Sequence, residues 1–155
     1  MTMNKLPMDV DDDGKWSRTC IRIFGETLQP EEIEAKLGLK ATRTHVKGQP
    51  RSRRYNVPWR HSLWLLESPL SDDHDMADHL KWLLDRLEPR LDVIRTLSAE
   101  YRVGLMCGFS SGSGQGGFTL DSTTLGRTAK LGVPLVVDLY PPGFAEDDRG
   151  RLVFV

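Results

Sequence analysis

Four histidines, two cysteines, a glycine-rich segment and one long basic run are the parts of this 155-residue chain with residue types suited to chemistry. His74 and Asp78 are four apart, as are Asp75 and His79. On a helix each pair would share a face, as metal ligands do. The spacing is not that of a closed zinc site. Aspartates before a helix serve more simply as partners for its free N–H groups and its dipole, so no metal is expected. Cys20 and Cys107 lie in β-rich runs beside Ile21, Leu105 and Met106. Free cysteines in such runs read as small buried apolar residues. If their strands are neighbours, the two thiols come close. A nucleophilic cysteine needs a base or a positive charge beside it, and neither a Cys/His signature nor a Gly-x-Ser-x-Gly sequence is present. Gly112, Gly114, Gly116 and Gly117 could cradle a phosphate through backbone N–H groups. No Gly-Lys-Ser/Thr follows, so a flexible hairpin loop is the preferred reading. No catalytic residue and no cofactor is assigned.

The basic run is the strongest compositional feature. Between Ala35 and Leu66 there is no Asp or Glu, while Lys36, Lys40, Arg43, Lys47, Arg51, Arg53, Arg54 and Arg60 carry eight positive charges. His45, Tyr55, Trp59 and His61 are interleaved. Cations beside aromatics suit phosphates and stacked bases. They equally suit an acidic protein surface, where charge speeds encounter and selects the partner. A solvated loop balanced by acids from elsewhere is the plain alternative. Trp and Arg are frequent hot-spot residues, so the candidate partner-binding set is Arg51, Arg53, Arg54, Tyr55, Trp59 and Arg60. For Trp59, packing in the core is an equal alternative.

These residues must be positioned by one domain. Apolar residues make up 39% and charged residues 28%, with a net charge of −1, so the chain as a whole is no polycation. No apolar run nears the roughly 20 residues that span a bilayer, and the first residues do not read as a signal peptide. Two cysteines make no disulfide scaffold, which favours a reduced, cytoplasmic setting. We read residues 1–15 as a flexible arm, 16–140 as a single α+β domain and 141–155 as a tail in which Leu152 to Val155 packs as a short strand or stays frayed. Strands are expected near Cys20–Phe24, Ser62–Leu66, Tyr101–Phe109 and Leu135–Leu139. A first helix runs from Pro30 to Leu37, ending at Gly38. A second is capped by Ser71, with a further helical stretch to about Leu97. The last spans Thr123–Leu131.

Leu28-x-Pro-x-x-Ile33 followed by Leu37-Gly38-Leu39 resembles Leu120-x-Ser-x-x-Leu125 followed by Leu131-Gly132-Val133. If this is a repeat, two β-α-β halves form a mainly antiparallel sheet in a ferredoxin-like split arrangement. The helices would lie on one face, related by an approximate two-fold, with residues from Ser71 to about Leu97 as a helical insertion.

Leu28 through Ile33 and Leu37 through Thr42, with Gly48, the strand holding Trp64, and Leu131 through Tyr140, resemble the domain-of-unknown-function family numbered 4279. Ala41 stands where that family usually has Pro. The resemblance spans about Thr19 to Tyr140. It implies a small bacterial α+β domain and no established catalytic residues; some members look like immunity proteins that neutralise toxins. The preferred function is therefore non-catalytic binding of an acidic protein, such as a toxin domain, by occlusion. An enzyme or ligand-binding domain acting on an anionic small molecule is the alternative, and nucleic-acid binding ranks third. No membrane partner is expected.

Overall fold

A computed structural model describes residues 15–52, 56–140, 144–146 and 152–154. The first strand, β1 (Trp16–Gly25), starts four residues before the expected run. Its side chains alternate: Ser17, Thr19, Ile21 and Ile23 are buried, whereas Arg18 is exposed and Cys20, Arg22 and Phe24 are half-buried. That period of two gives it one core face and one outer face. Pro30 and two glutamates open α1 (Pro30–Leu37), which buries Ile33 and Leu37. Gly38 ends it at φ 63°, a left-handed cap that glycine adopts without strain, and its N–H donates to the Glu34 carbonyl.

A three-residue strand that the apolar pattern does not announce, β2 (Arg43–His45), comes next, followed by β3 (Ser62–Glu67). In α2 (Met76–Leu87) the buried residues Met76, Leu80, Leu83, Leu84 and Leu87 recur at helical spacing. Asp75, not Ser71, stands at its N-cap position. The Ser71 hydroxyl instead bonds the Asp73 carboxylate within the preceding turn. A single 3-10 turn, Glu88–Arg90, links α2 to α3 (Leu91–Glu100). Then follow β4 (Arg102–Ser110), α4 (Ser122–Lys130), β5 (Leu135–Tyr140), and the short strands β6 (Phe144–Glu146) and β7 (Leu152–Phe154), which pair with each other. Asp121 caps α4, its carboxylate accepting from the Thr124 N–H at 2.7 Å.

Five strands form one sheet in the order β2-β3-β1-β4-β5. Neighbours are antiparallel except β4 and β5, which are parallel. The four strands expected from the sequence thus do share a sheet. The pairing departs from the two equivalent halves expected from the repeat. β1 and β3, taken as the strands around α1, are antiparallel neighbours, while β4 and β5 around α4 are parallel ones. The two helices make different crossovers, so no two-fold relates the halves. The strand parallel to β1 beyond β3 is the unannounced β2. Likewise α2 and α3 are no insertion: they carry the chain from β3 to β4, which lie on either side of β1. What the repeat marks is punctuation, since Gly38 and Gly132, at φ 63° and 68°, both close helices.

Helices α1, α2 and α3 cover one face of the sheet. Ile21, Ile23, Trp64, Leu66, Val103 and Leu105 of the sheet form one core with Ile33, Leu37, Leu83, Leu87, Ile94 and Leu97 of the helices. Trp64 is fully buried there, as its apolar run suggests. Arg127 ties α4 to the end of α2: its guanidinium donates to Glu88 at 2.7 and 3.0 Å and to Asp85 at 2.6 Å. No helix is long and apolar enough to cross a membrane among the described residues.

Candidate binding surface

The second half of the basic run is a short antiparallel arm beyond β2. Trp59 donates its N–H to the Gln49 carbonyl at 2.8 Å, Gly48 donates to the Trp59 carbonyl at 2.9 Å, and Arg51 donates to Val57 at 3.0 Å. Pro50 and Pro58 form a bridge between these bonds. Gly48 turns the chain at φ 88°. The arm holds Trp59, half-buried, flat against His45: ring centroids are 3.7 Å apart and the planes differ by 6°. The Arg51 guanidinium lies 4.9 Å from the indole centroid, so His45, Trp59 and Arg51 form one stacked group. Trp59 is therefore half-buried in this stack and lies outside the core. Arg51 and Arg60 are exposed. Arg53, Arg54 and Tyr55 lie outside the described residues. Lys47 spends its charge locally on Glu26, at 2.8 Å.

Strand register connects this arm to the sheet. Residues directly opposite in antiparallel pairs share a face. His45 faces Leu63, which faces Phe24, and Phe24 faces Arg102. Arg43 faces Leu65, which faces Arg22. These residues occupy the face opposite the helices, on which no described helix packs. Phe24 lies about equally far from the guanidiniums of Arg22 and Arg102, at 6.0 and 5.9 Å, with His61 edge-on at 6.3 Å. At the other end Trp16 meets Tyr140 at 4.8 Å, and Arg18 sits 5.3 Å from the Trp16 ring while its guanidinium forks onto Asp72 at 3.0 and 2.9 Å. Gly108 forms the floor here, since a Cβ would stand 3.3 Å from Trp16 and 3.5 Å from Tyr140. A shallow depression of about 310 Å³ lies along this face between Arg22, Arg43, Glu67 and Asp138.

The electrostatics of this face follow from burial and from its arginines. Burial, then Arg43, lowers the His45 pKa below the ordinary histidine value. Its ring is therefore neutral at pH 7, and the positive charge of the surface comes from arginines. Burial pushes the Cys20 thiol up to about 11, although Arg22 and Arg43 pull the other way. At that value the sulfur stays protonated and is a poor nucleophile. Cys20 and Cys107 do sit on paired strands, but Cys20 faces Met106 on the outer face while Thr19 faces Cys107 on the core side. The two thiols point to opposite sides of the sheet, and both are free.

The Asp75/His79 pair also separates. His79 is fully buried, with Nδ1 3.0 Å from the Ser68 hydroxyl, whereas Asp75 and His74 are exposed. Among the described residues no cluster of three or more His, Cys, Asp or Glu has metal-binding geometry. The glycine-rich segment connects β4 to α4, so it is a crossover loop and not a hairpin. Arg18, Arg22, Phe24 and Arg102 are absent from the expected set. Their signal is the alternation Trp16-x-Arg18-x-Cys20-x-Arg22-x-Phe24, legible once the strand is known to begin at Trp16.

No curated protein and no solved structure matches this chain. The model of the domain of unknown function DUF4279 matches residues 16–142, and the chain belongs to that family.

Proposed function

We propose that this domain is a non-catalytic binding module for an acidic protein surface, with neutralisation of a toxin domain by occlusion as its concrete form. The observation that supports this reading is the continuity of the His45–Trp59–Arg51 stack with Arg43, Arg22 and Arg102 on the face without helices. Flat aromatic area ringed by arginines provides anchors, and the surrounding charge steers an anionic partner. Two acids, Glu67 and Asp138, give the far part of the surface a mixed character that suits a patterned protein better than a uniform polyanion. The shallow depression between Arg22 and Arg43 favours a second reading, an anionic small molecule held there without a dedicated base. For the fold, the order β2-β3-β1-β4 with antiparallel neighbours supports a ferredoxin-like reading of those four strands, with α4 and β5 appended.

The test is a low-salt pull-down from the source cell's lysate and from competing bacteria, using the wild-type chain and a double Arg51→Glu, Arg60→Glu chain. An acidic protein captured only by the wild type, with association slowed by the double substitution and by salt, supports the reading. Equal capture by both chains refutes it. Capture of nucleic acid, with log affinity falling linearly in log salt, would replace the partner class.

A further inference from the structure

The depression on the face without helices holds charges of both signs that do not neutralise one another. Arg22 of β1 and Arg43 of β2 both lie opposite Leu65 of β3, so their Cα atoms stand about 9.6 Å apart, two strand spacings of ~4.8 Å. Glu67 is two residues along β3 from Leu65, about 7 Å further on. Asp138 lies across β4, opposite Gly108. Among the described residues none of these four side chains forms an ion pair, whereas Arg18 on the same face is forked onto Asp72. The floor between the charges is uncharged: Cys20 lies opposite Glu67 on one side and Met106 on the other. Beyond Met106 the rings of Trp16 and Tyr140 lean over Gly108, where a Cβ would stand 3.3 and 3.5 Å from them.

We propose, on the second reading above that a small molecule occupies the depression, that its ligand is a free α-amino acid with an apolar, ring-bearing side chain. Arg22 and Arg43 hold the carboxylate above Leu65. Glu67 takes the ammonium. The side chain lies over Cys20 and Met106, with its ring against the Trp16–Tyr140 pair. Charge selects this class. A polyanion drawn to the two arginines would meet Glu67 and Asp138, and a cation drawn to the carboxylates would meet the arginines. An uncharged ligand would strip water from these ions and return no counter-charge, which is costly. A molecule with both signs on neighbouring atoms gives each group a partner. Two guanidinium forks suit a carboxylate, whose oxygens each accept from one of them. Asp138 on the far side disfavours a second carboxylate, so acidic side chains are rejected. A volume of about 310 Å³ is at the small end of ligand pockets, as one such molecule requires.

The experiment is NMR titration of the full chain with three probes of similar size. They are L-phenylalanine, 3-phenylpropionate, which lacks the ammonium, and 2-phenylethylamine, which lacks the carboxylate. L-Phenylalanine should shift the amides of Cys20, Arg22, Met106 and Gly108 by about 10 mM, where a millimolar Kd leaves a site ~90% filled. Each half-molecule should bind at least about tenfold more weakly, the loss expected for one charge-assisted bond. Glu67→Gln should weaken L-phenylalanine about tenfold and leave 3-phenylpropionate no weaker, because it removes a like charge beside the carboxylate. A variant that merely misfolds would weaken both. Arg22→Gln and Arg43→Gln should weaken both carboxylates, and Arg95→Gln on α3 should weaken neither. 3-Phenylpropionate that binds as tightly as L-phenylalanine overturns the amino-acid ligand and leaves the anionic small molecule in place. 2-Phenylethylamine that binds as tightly overturns both. No shift with any probe overturns the amino-acid ligand, and the anionic small molecule falls with it if inorganic phosphate also leaves these amides unmoved.

Discussion

Removing the Trp59 indole separates a surface stack from a core residue. In Trp59→Ala the His45 ring loses a parallel partner at 3.7 Å and Arg51 loses the face it covers at 4.9 Å. An aromatic pair contributes about 0.5–1.5 kcal/mol, and an exposed cation–π contact about 0.5–1 kcal/mol. The whole loss in the free protein is then about 1–2.5 kcal/mol. At 2–4 °C per kcal/mol for a chain of this size, the melting temperature should fall by roughly 2–10 °C. Truncating a packed core tryptophan would cost about 3–5 kcal/mol and shift it further. The sharper readout is His45 itself, followed by NMR titration of its ring protons. Burial is the largest cause of its lowered pKa, so uncovering one ring face should move the value up towards the ordinary histidine range near 6.5. Arg51→Ala should move it in the same direction, because Arg51 also lowers it. An unchanged His45 titration in Trp59→Ala would refute the stack. If the partner uses this surface, the same substitution should appear mainly in the off-rate with little salt dependence.

Two further outcomes follow from buried geometry. His79 is fully buried, and its pKa is lowered first by burial and then by His74, while Asp72 and Asp78 oppose the shift. The unfolded chain therefore binds the proton more readily: His79 costs no stability above about pH 6.5, and stability falls as pH drops through the lower folded value, by at most about 1.4 kcal/mol per pH unit. Urea unfolding of wild type and His79→Leu between pH 7.5 and 5 should show a shallower decline in the variant; parallel curves would contradict this. In Gly25→Ala the new Cβ would stand 2.8 Å from the Tyr101 ring, an overpacking worth about 1–3 kcal/mol, measurable as a lowered denaturation midpoint.

Local chemistry made much of the fold readable from the amino-acid order. Pro30 with two glutamates, and Gly38 and Gly132 as caps, set helix ends within about a residue because capping depends on a few adjacent groups. The apolar spacing of Leu80, Leu83, Leu84 and Leu87 identified the buried face of α2, and Leu63-Trp64-Leu65-Leu66 the core strand. The family was legible too, through the residues bracketing α1 and those following Leu131. Ser71, by contrast, does not cap α2: its hydroxyl is satisfied by Asp73, and that leaves no local mark in the sequence to distinguish it from one facing a helix.

The candidate surface was half visible. Clustering of positive charge between Lys36 and Arg60 is a property of the chain itself, and so is the presence of Trp59 within it. That Trp59 stacks on His45, and that Arg22, Phe24 and Arg102 extend the same surface, depends on strand register between segments up to 78 residues apart. Short strands such as β2 carry no apolar pattern; their place comes from hydrogen bonds to a neighbour that is already buried. Pairing partners, strand direction and the exposure of β5 were likewise decided by tertiary structure. A period-two pattern tells which residues share a strand's face, but the strand lying beside it is chosen by the energy of the whole packed sheet.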